Sequence, residues 1–435
     1  MKALCYNESL SLEPRYPEPQ PGPEEALVGV RLAGICATDL EITQGYMSFR
    51  GVLGHEFVGV VLRGPRAWRG KRVVAEINCV CGRCELCQRG LSNHCRRRTV
   101  IGIQGRDGVF AEQVALPVRN LHEVPETVTD EQAVFVEPLA AAYQVVKQYP
   151  IEKRMHVTVI GSGRLGLLVA QVLQATGCEL EVVGRNELTL NFCEKRGIRT
   201  VPVAEVRPRG DRDVVVECSG SPAGLELALR LLRPRGMLIL KSTHAEAAPL
   251  NLAPVVVNEI TVLGSRCGPF PDALQALARG QVDVESMVSR TLPLDRGLEA
   301  LAMAADIRPL ASTDLGWDFV VACGVEGPVT LSFPDLSGVP AQYRLTLTDV
   351  ASGKSLNMRT ARAYEYSGVG TRAFRIEATR GNGNTLTVST AASSMPVTRR
   401  AAVTVTLSAS NRSDTGSTTF SVRPGLSLRG RSGNG

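Results

Sequence analysis

The chain has 435 residues, room for two or three domains, and 44% hydrophobic residues, so sizeable cores can form. A formal net charge of +6 is too small to argue for nucleic acid, and no run of about 18 apolar residues argues for a membrane span. The opening MKALCYNESLSLEP has no apolar leader stretch, and with 12 cysteines the chain reads as a cytoplasmic protein with reduced thiols.

Residues 1–147 carry short alternating runs (ALVGVRLAG, HEFVGVVLRG, KRVVAEIN, GVFAEQVAL) that predict the strands of a small β-rich domain. It contains Cys36 and Thr38 in GICATD, His55 and Glu56 in GHEF, and Glu137 in VFVEPLA. Singly, each reads as packing. Together they bring thiolate, imidazole and carboxylate into one domain. Between them lies the spacing Cys81-x2-Cys84-x2-Cys87-x7-Cys95, with Cys79 upstream and His94 beside the last cysteine. Four thiolates suit a closed, structural zinc shell; a disulfide cage and redox thiols are the other readings.

From His156 the pattern changes to apolar strands alternating with helices, which predicts a doubly wound parallel sheet over 148–268. Gly161-Ser162-Gly163-Arg164-Leu165-Gly166 sits between the strand HVTVI and the helix LLVAQVLQ, the context a dinucleotide-binding loop requires. Gly161 makes the turn, Gly163 lets a pyrophosphate approach, and Gly166 lets the helix pack closely. The next strand ends Gly184-Arg185-Asn186, with glycine where an acid would bind a ribose hydroxyl. An arginine beside the missing carboxylate predicts NADP as the preferred cofactor, with NAD possible; a solvated arginine is the other reading.

Residues 269–310 read as a return to the first domain. After Leu310 lysine nearly vanishes, and alternating runs such as PVTLSFPDL, QYRLTLTDV, AFRIEATRG, NTLTVST and AAVTVTLSAS predict a β-sandwich over 311–425, followed by a disordered tail, 426–435.

Residues 1–308 resemble the zinc-containing medium-chain dehydrogenase/reductase family. The resemblance is carried by GICATD, GHEFVGVV, the four-cysteine lobe, VFVEPLA, VIGSGRLGLL, DVVVECSG and EITVLGSR, in that order. It implies a GroES-like β-rich catalytic domain and a Rossmann domain with the active site in the cleft between them. It also implies two zinc ions. Cys81, Cys84, Cys87 and Cys95 would hold the structural ion, and Cys36 and His55 the catalytic one, with Glu56 and Glu137 as alternative or exchanging third ligands. Thr38 matches the proton-relay position. Glu41 stands where many relatives have a relay histidine, and it could accept the proton or merely face water. Tyr46 and Phe49 either line the substrate pocket or belong to the core. The dinucleotide would contact Gly161 to Gly166, Gly184, Arg185, Asn186 and Ser219. The partners implied are a small-molecule alcohol or carbonyl and further copies of the chain, as a dimer or tetramer, with neither nucleic acid nor membrane. The third segment resembles Ig-like modules of bacterial secreted or surface proteins, through DLSGVPAQYRLTLTDVASGK. A secreted, surface-binding protein with a degenerate dehydrogenase half is therefore the alternative; the complete ligand set favours the enzyme. The strand that ends relatives is not recognisable, and WDFVVAC is a candidate to replace it.

Overall fold

The computed structural model describes residues 1–242, 251–305, 314–323, 328–332, 343–358, 360–361, 363–367, 370–380, 403–411 and 414–422. Two compact units divide the chain, Met1–Ile307 and Arg308–Gly435.

The first unit begins with β1 (Ala3–Tyr6), β2 (Leu10–Glu13), β3 (Glu25–Gly34), α1 (Ala37–Ile42), β4 (Gly51–Val52), β5 (Glu56–Arg63) and β6 (Arg72–Ala75). There follow β7 (Asn78–Cys79), α2 (Glu85–Gln88), β8 (Thr99–Ile101), β9 (Gly105–Arg106), β10 (Gln113–Pro117), β11 (Leu121–Glu123), α3 (Asp130–Ala133) and α4 (Val136–Gln148). The strands form sheets ordered β2-β1-β4, β10-β3-β5-β6-β11 and β7-β8-β9. The apolar runs recognised in the sequence are the antiparallel centre: β3 and β5 pair with Val28 opposite Val61 and Gly34 opposite Glu56. Their inner faces bury Val28, Phe57 and Val61 in one cluster with Leu4, Val52, Leu53 and Leu116. Each such side chain contributes roughly 1.5–3 kcal/mol on burial. Phe49 is buried in this cluster, and the half-buried Tyr46 packs against it.

Six parallel strands come next: β12 (His156–Ile160), β13 (Glu179–Gly184), β14 (Arg199–Pro202), β15 (Arg212–Glu217), β16 (Leu232–Leu240) and β17 (Thr261–Gly264). Between them run α5 (Arg164–Gln174), α6 (Glu187–Glu194), α7 (Pro222–Leu231) and α8 (Ala253–Val257). The order β14-β13-β12-β15-β16-β17 reverses between β12 and β15, and ligands of doubly wound sheets bind at the carboxyl ends of the strands at such a reversal. The interior strands are covered on both faces, which is why β12 and β15 read as continuous apolar runs. Residues Gly166 to Leu173 of α5 are all buried. Two last helices, α9 (Phe270–Ala278) and α10 (Gly297–Ala305), return toward earlier elements. Phe270, Leu274 and Leu277 join the core under α4, and Leu301 joins the Leu4 cluster.

The second unit contains β18 (Asp314–Cys323), β19 (Pro328–Ser332), β20 (Tyr343–Asp349), β21 (Ser355–Asn357), β22 (Ala363–Ser367), β23 (Gly370–Arg380), β24 (Val403–Asn411) and β25 (Asp414–Val422). They form two antiparallel sheets, β18-β23-β20-β21 and β22-β19-β24-β25. WDFVVAC lies in β18, which pairs antiparallel with β23. NTLTVST and the tail lie outside the described residues. Among the described residues, no helix is long and apolar enough to cross a membrane.

Candidate active site

Cys36 is the residue before α1, His55 is the residue before β5, and Glu56 is the first residue of β5. The pairing of β3 with β5 brings these turns together. A sulfur of Cys36, a ring nitrogen of His55 and a carboxylate oxygen of Glu56 all lie within 4.8 Å of one another. His55 is 3% exposed and Glu56 1%, so ionisable groups have been buried side by side. That is costly unless a partner compensates, and sulfur, nitrogen and oxygen donors at this separation suit a divalent zinc ion. Asp39, fully buried in the first turn of α1, organises the set. Its Oδ2 accepts the Cys36 amide at 2.8 Å, and its Oδ1 faces His55 Nδ1 at 3.2 Å. Burial works against a charged His55 ring, but the charges of Asp39 and Cys36 beside it hold its pKa well above the usual histidine value. A cation held by this set would take the place of that proton.

Glu137, in the first turn of α4, is not among the three mutually close donors. Burial pushes its carboxyl up to about 7, the charge of Glu56 adding to the effect and those of His55, Arg164 and Lys241 opposing it. Thr38 is half-buried in the first turn of α1, and Glu41 lies one turn on.

The four-cysteine lobe is a separate cluster. Cys84 Sγ lies 3.5 Å from Cys87 Sγ and 3.8 Å from Cys95 Sγ, and Cys95 Sγ lies 3.6 Å from Cys81 Sγ. Four sulfurs about 2.3 Å from a central zinc stand about 3.8 Å apart in a tetrahedron, and a disulfide requires about 2.05 Å. The spacing fits the metal and not the cage. Backbone amides of Arg83 and Cys84 lower Cys81 to about 6, while burial pushes Cys87 up to about 12.

The glycine loop joins β12 to α5. Gly161 has φ of 104°, a Cβ on Gly166 would lie 1.8 Å from the Gly161 carbonyl oxygen, and a Cβ on Gly163 would meet nothing within 4 Å. The tight turn, the close helix and the open approach are thus all present. Leu165 packs toward the core under α5, and Arg164 turns across to Glu56. Ser162 is buried, its Oγ 2.7 Å from Thr189 Oγ1. A Cβ on Gly184 would meet Ser162 Oγ at 2.2 Å, so this glycine is required by packing as well as by any cofactor. Arg185 is exposed at the end of β13. Asn186 caps α6, accepting the Leu188 amide at 2.9 Å, and Ser219 donates to Glu217 at 2.5 Å beyond β15.

Two residues of the site were not singled out from sequence. Asp39 carries a faint signal, since an acid three residues past Cys36 is a capping pattern. Lys241 carries none. Just beyond β16, its Nζ donates to the Ala141 carbonyl of α4 at 2.6 Å and to Ser265 Oγ at 3.3 Å, and burial lowers it to about 8.

Comparison with known proteins agrees with this geometry. Residues 22–126 match the alcohol dehydrogenase GroES-like domain, and residues 165–279 match the zinc-binding dehydrogenase domain. A zinc-binding dehydrogenase from Sinorhizobium meliloti 1021, solved with NADP, is 30% identical, superposes with a TM-score of 0.63, and is matched over 94% of its length and 69% of this chain. The chain belongs to the zinc-type medium-chain dehydrogenase family. Other members include the sorbitol dehydrogenase of Halalkalibacterium halodurans, 29% identical over 68% of this chain and 93% of its own. An alcohol dehydrogenase from E. coli CFT073, solved with NADH, is 26% identical over 71% of this chain and 96% of its own, with a TM-score of 0.65. This dehydrogenase therefore has the family's GroES-like and Rossmann domains and is an enzyme of the alcohol and polyol dehydrogenase class.

Proposed function

We propose that the protein transfers a hydride between NADP(H) and an alcohol or polyol, or the matching carbonyl, with one catalytic and one structural zinc. The observation that carries this reading is the contact of Arg164, in the glycine loop, with Glu56, in the Cys36–His55–Glu56 set, because it joins the two halves of one active site. Cys36, His55 and Glu56 would hold the catalytic ion, with Glu137 as the exchanging carboxylate; Cys81, Cys84, Cys87 and Cys95 would hold the structural one. When bound, the zinc supplies Lewis acidity toward the substrate oxygen and the dinucleotide supplies the hydride acceptor or donor. The protein's own residues do the rest. Asp39 accepts the Cys36 amide and sets its Oδ1 3.2 Å from His55 Nδ1, which would leave His55 Nε2 as the nitrogen offered to the metal. Thr38, in the first turn of α1, would accept the substrate hydroxyl proton and pass it outward, either to Glu41 one turn on or to water.

NADP is preferred over NAD in this reading because Arg185 is exposed beside the end of β13, where a 2′-phosphate would lie, with no carboxylate to repel it. NADP in one solved relative supports this, and NADH in another keeps NAD possible. A polyol is the favoured substrate class, by likeness to the sorbitol dehydrogenase. Self-association through β17 is supported by that edge strand and by Val256 and Val257, 76% and 78% exposed. A cytoplasmic location is supported by the eleven described cysteines that form no disulfide, five of them assigned here to zinc. The second unit is proposed to be an Ig-like β-sandwich that takes no part in the reaction, and limited proteolysis is expected to cut between about 308 and 318.

The test is a screen of polyols, sugars and simple alcohols, followed by NADPH absorbance, with Cys36→Ser as control. Turnover of at least one alcohol that vanishes in the variant is expected. Undiminished turnover by Cys36→Ser would refute the assignment.

A further inference from the structure

Arg164 is the first residue of α5, directly after the loop that would cradle a diphosphate, yet its side chain is spent elsewhere. Nη1 and Nη2 bind Glu56 Oε2 and Oε1 at 2.5 and 2.6 Å, a two-pronged pair. Glu56 is 1% exposed, whereas the Arg164 side chain is 29% exposed, so the pair has a buried acidic end and a more open basic end. The carboxylate's place is built into the fold: a Cβ on Gly34 would stand 2.7 Å from Glu56 Oε2. One carboxylate thus lies between a guanidinium and the other two metal donors, and one guanidinium lies between that carboxylate and the phosphate-binding loop.

We propose that Arg164 is a positioning residue that couples the two binding events. It neutralises Glu56 while metal and dinucleotide are absent, and it swings to the dinucleotide diphosphate as Glu56 turns to the metal. This rests on the zinc- and dinucleotide-dependent reading given above. The argument is one of charge. A buried carboxylate cannot lose its cation without another, and the metal is that replacement. A guanidinium leaving a carboxylate finds the same fork geometry in a phosphate, at a helix N-terminus that already favours anions. Each ligand thereby removes the competitor of the other, and the coupling is positive and reciprocal by thermodynamic necessity.

The experiment uses the full-length protein and NADPH as the probe. Its dissociation constant is measured by NADPH fluorescence on protein holding two zinc equivalents, and again after chelation to one. Binding to the two-zinc protein is expected to be tighter by about fivefold to 150-fold. In Arg164→Gln paired with Glu56→Gln, which keeps hydrogen bonding and removes both charges, this ratio is expected to fall to about one while NADPH still binds. Arg164→Lys, which keeps the charge but loses the fork, is expected to give a reduced ratio and serves where the double variant does not fold. A ratio near one in the wild type, a reversed ratio, or a wild-type ratio retained by either variant overturns the handover. A wild type that binds no NADPH, or never holds a second zinc, overturns both the handover and the reading of the site beneath it.

Discussion

Asp39 reaches two of the three clustered donor residues at once: its Oδ1 stands 3.2 Å from His55 Nδ1 while its Oδ2 takes the Cys36 amide at 2.8 Å. Asp39→Asn keeps an acceptor for the amide but loses the charge that orients the ring. Affinity for the more easily lost zinc is expected to fall about tenfold to a hundredfold. Competition with a chromogenic chelator measures it. An affinity equal to wild type would reduce Asp39 to a helix cap.

Purified protein is expected to hold two zinc equivalents by elemental analysis, because the two ligand sets share no residue. Cys84→Ser should lose one equivalent and, on the order of several kcal/mol, stability, since a structural zinc contributes its binding energy to folding. Cys36→Ser should lose the other equivalent and leave the unfolding transition almost unchanged. A single zinc in the fully active wild type would contradict the two-site assignment.

Cofactor choice is best probed at Arg185 rather than Gly184. Arg185→Ala should weaken NADP binding by roughly 1.5–3 kcal/mol, about tenfold to a hundredfold, and leave NAD binding unchanged. Gly184→Asp, the substitution the sequence invites, would drive its Cβ to 2.2 Å from Ser162 Oγ and 2.9 Å from Leu190 Cδ2. It is expected to destabilise the protein by about 1–3 kcal/mol before it switches anything. Calorimetry and thermal unfolding separate the two effects, and equal NADP affinity in wild type and Arg185→Ala would place that side chain in solvent.

Gly184 illustrates what a sequence conceals. The glycine loop, the four-cysteine spacing and the apolar runs were legible because local geometry dictates them: a turn, a tetrahedron, a covered sheet. Which carboxylate joins Cys36 and His55 was not, because Glu56 and Glu137 come together only through the pairing of β3 with β5 and the approach of α4. Nor could Arg164 be seen to leave its own loop for Glu56, more than a hundred residues earlier in the chain. Phe49 is buried in one cluster with residues as distant in sequence as Leu4, Leu116 and Leu301, a gathering its own type does not announce.

Lys241 gives a pH prediction. Its native pKa is lowered from 10.5 to about 8, chiefly by burial. Below about 8 both folded and unfolded chains carry the proton and the burial cost is full. Between 8 and 10.5 the unfolded chain binds more protons, so this group makes stability rise with pH, and above 10.5 its effect levels off. Wild type should therefore gain about 2–3 kcal/mol on Lys241→Met between pH 7 and pH 10. Urea midpoints at the two values measure it. A gap between wild type and variant that does not move would mean the ammonium keeps its ordinary pKa.

Leu301 has a consequence for how the protein is made. It is 2% exposed in the same cluster as Leu4, and Gly297 brings its helix to within van der Waals reach of the Leu4 side chain. The N-terminal core therefore closes with a piece that leaves the ribosome about 300 residues after the strand it covers, which at roughly 5–20 residues per second is a delay of about 15–60 s. Through that interval the Rossmann sheet, whose strands follow one another closely in sequence, has all it needs to fold, while the domain translated first waits with an open apolar flank. A strand near residue 4 is thus covered only by a helix near residue 300, and on that flank a chaperone has the longest time to act.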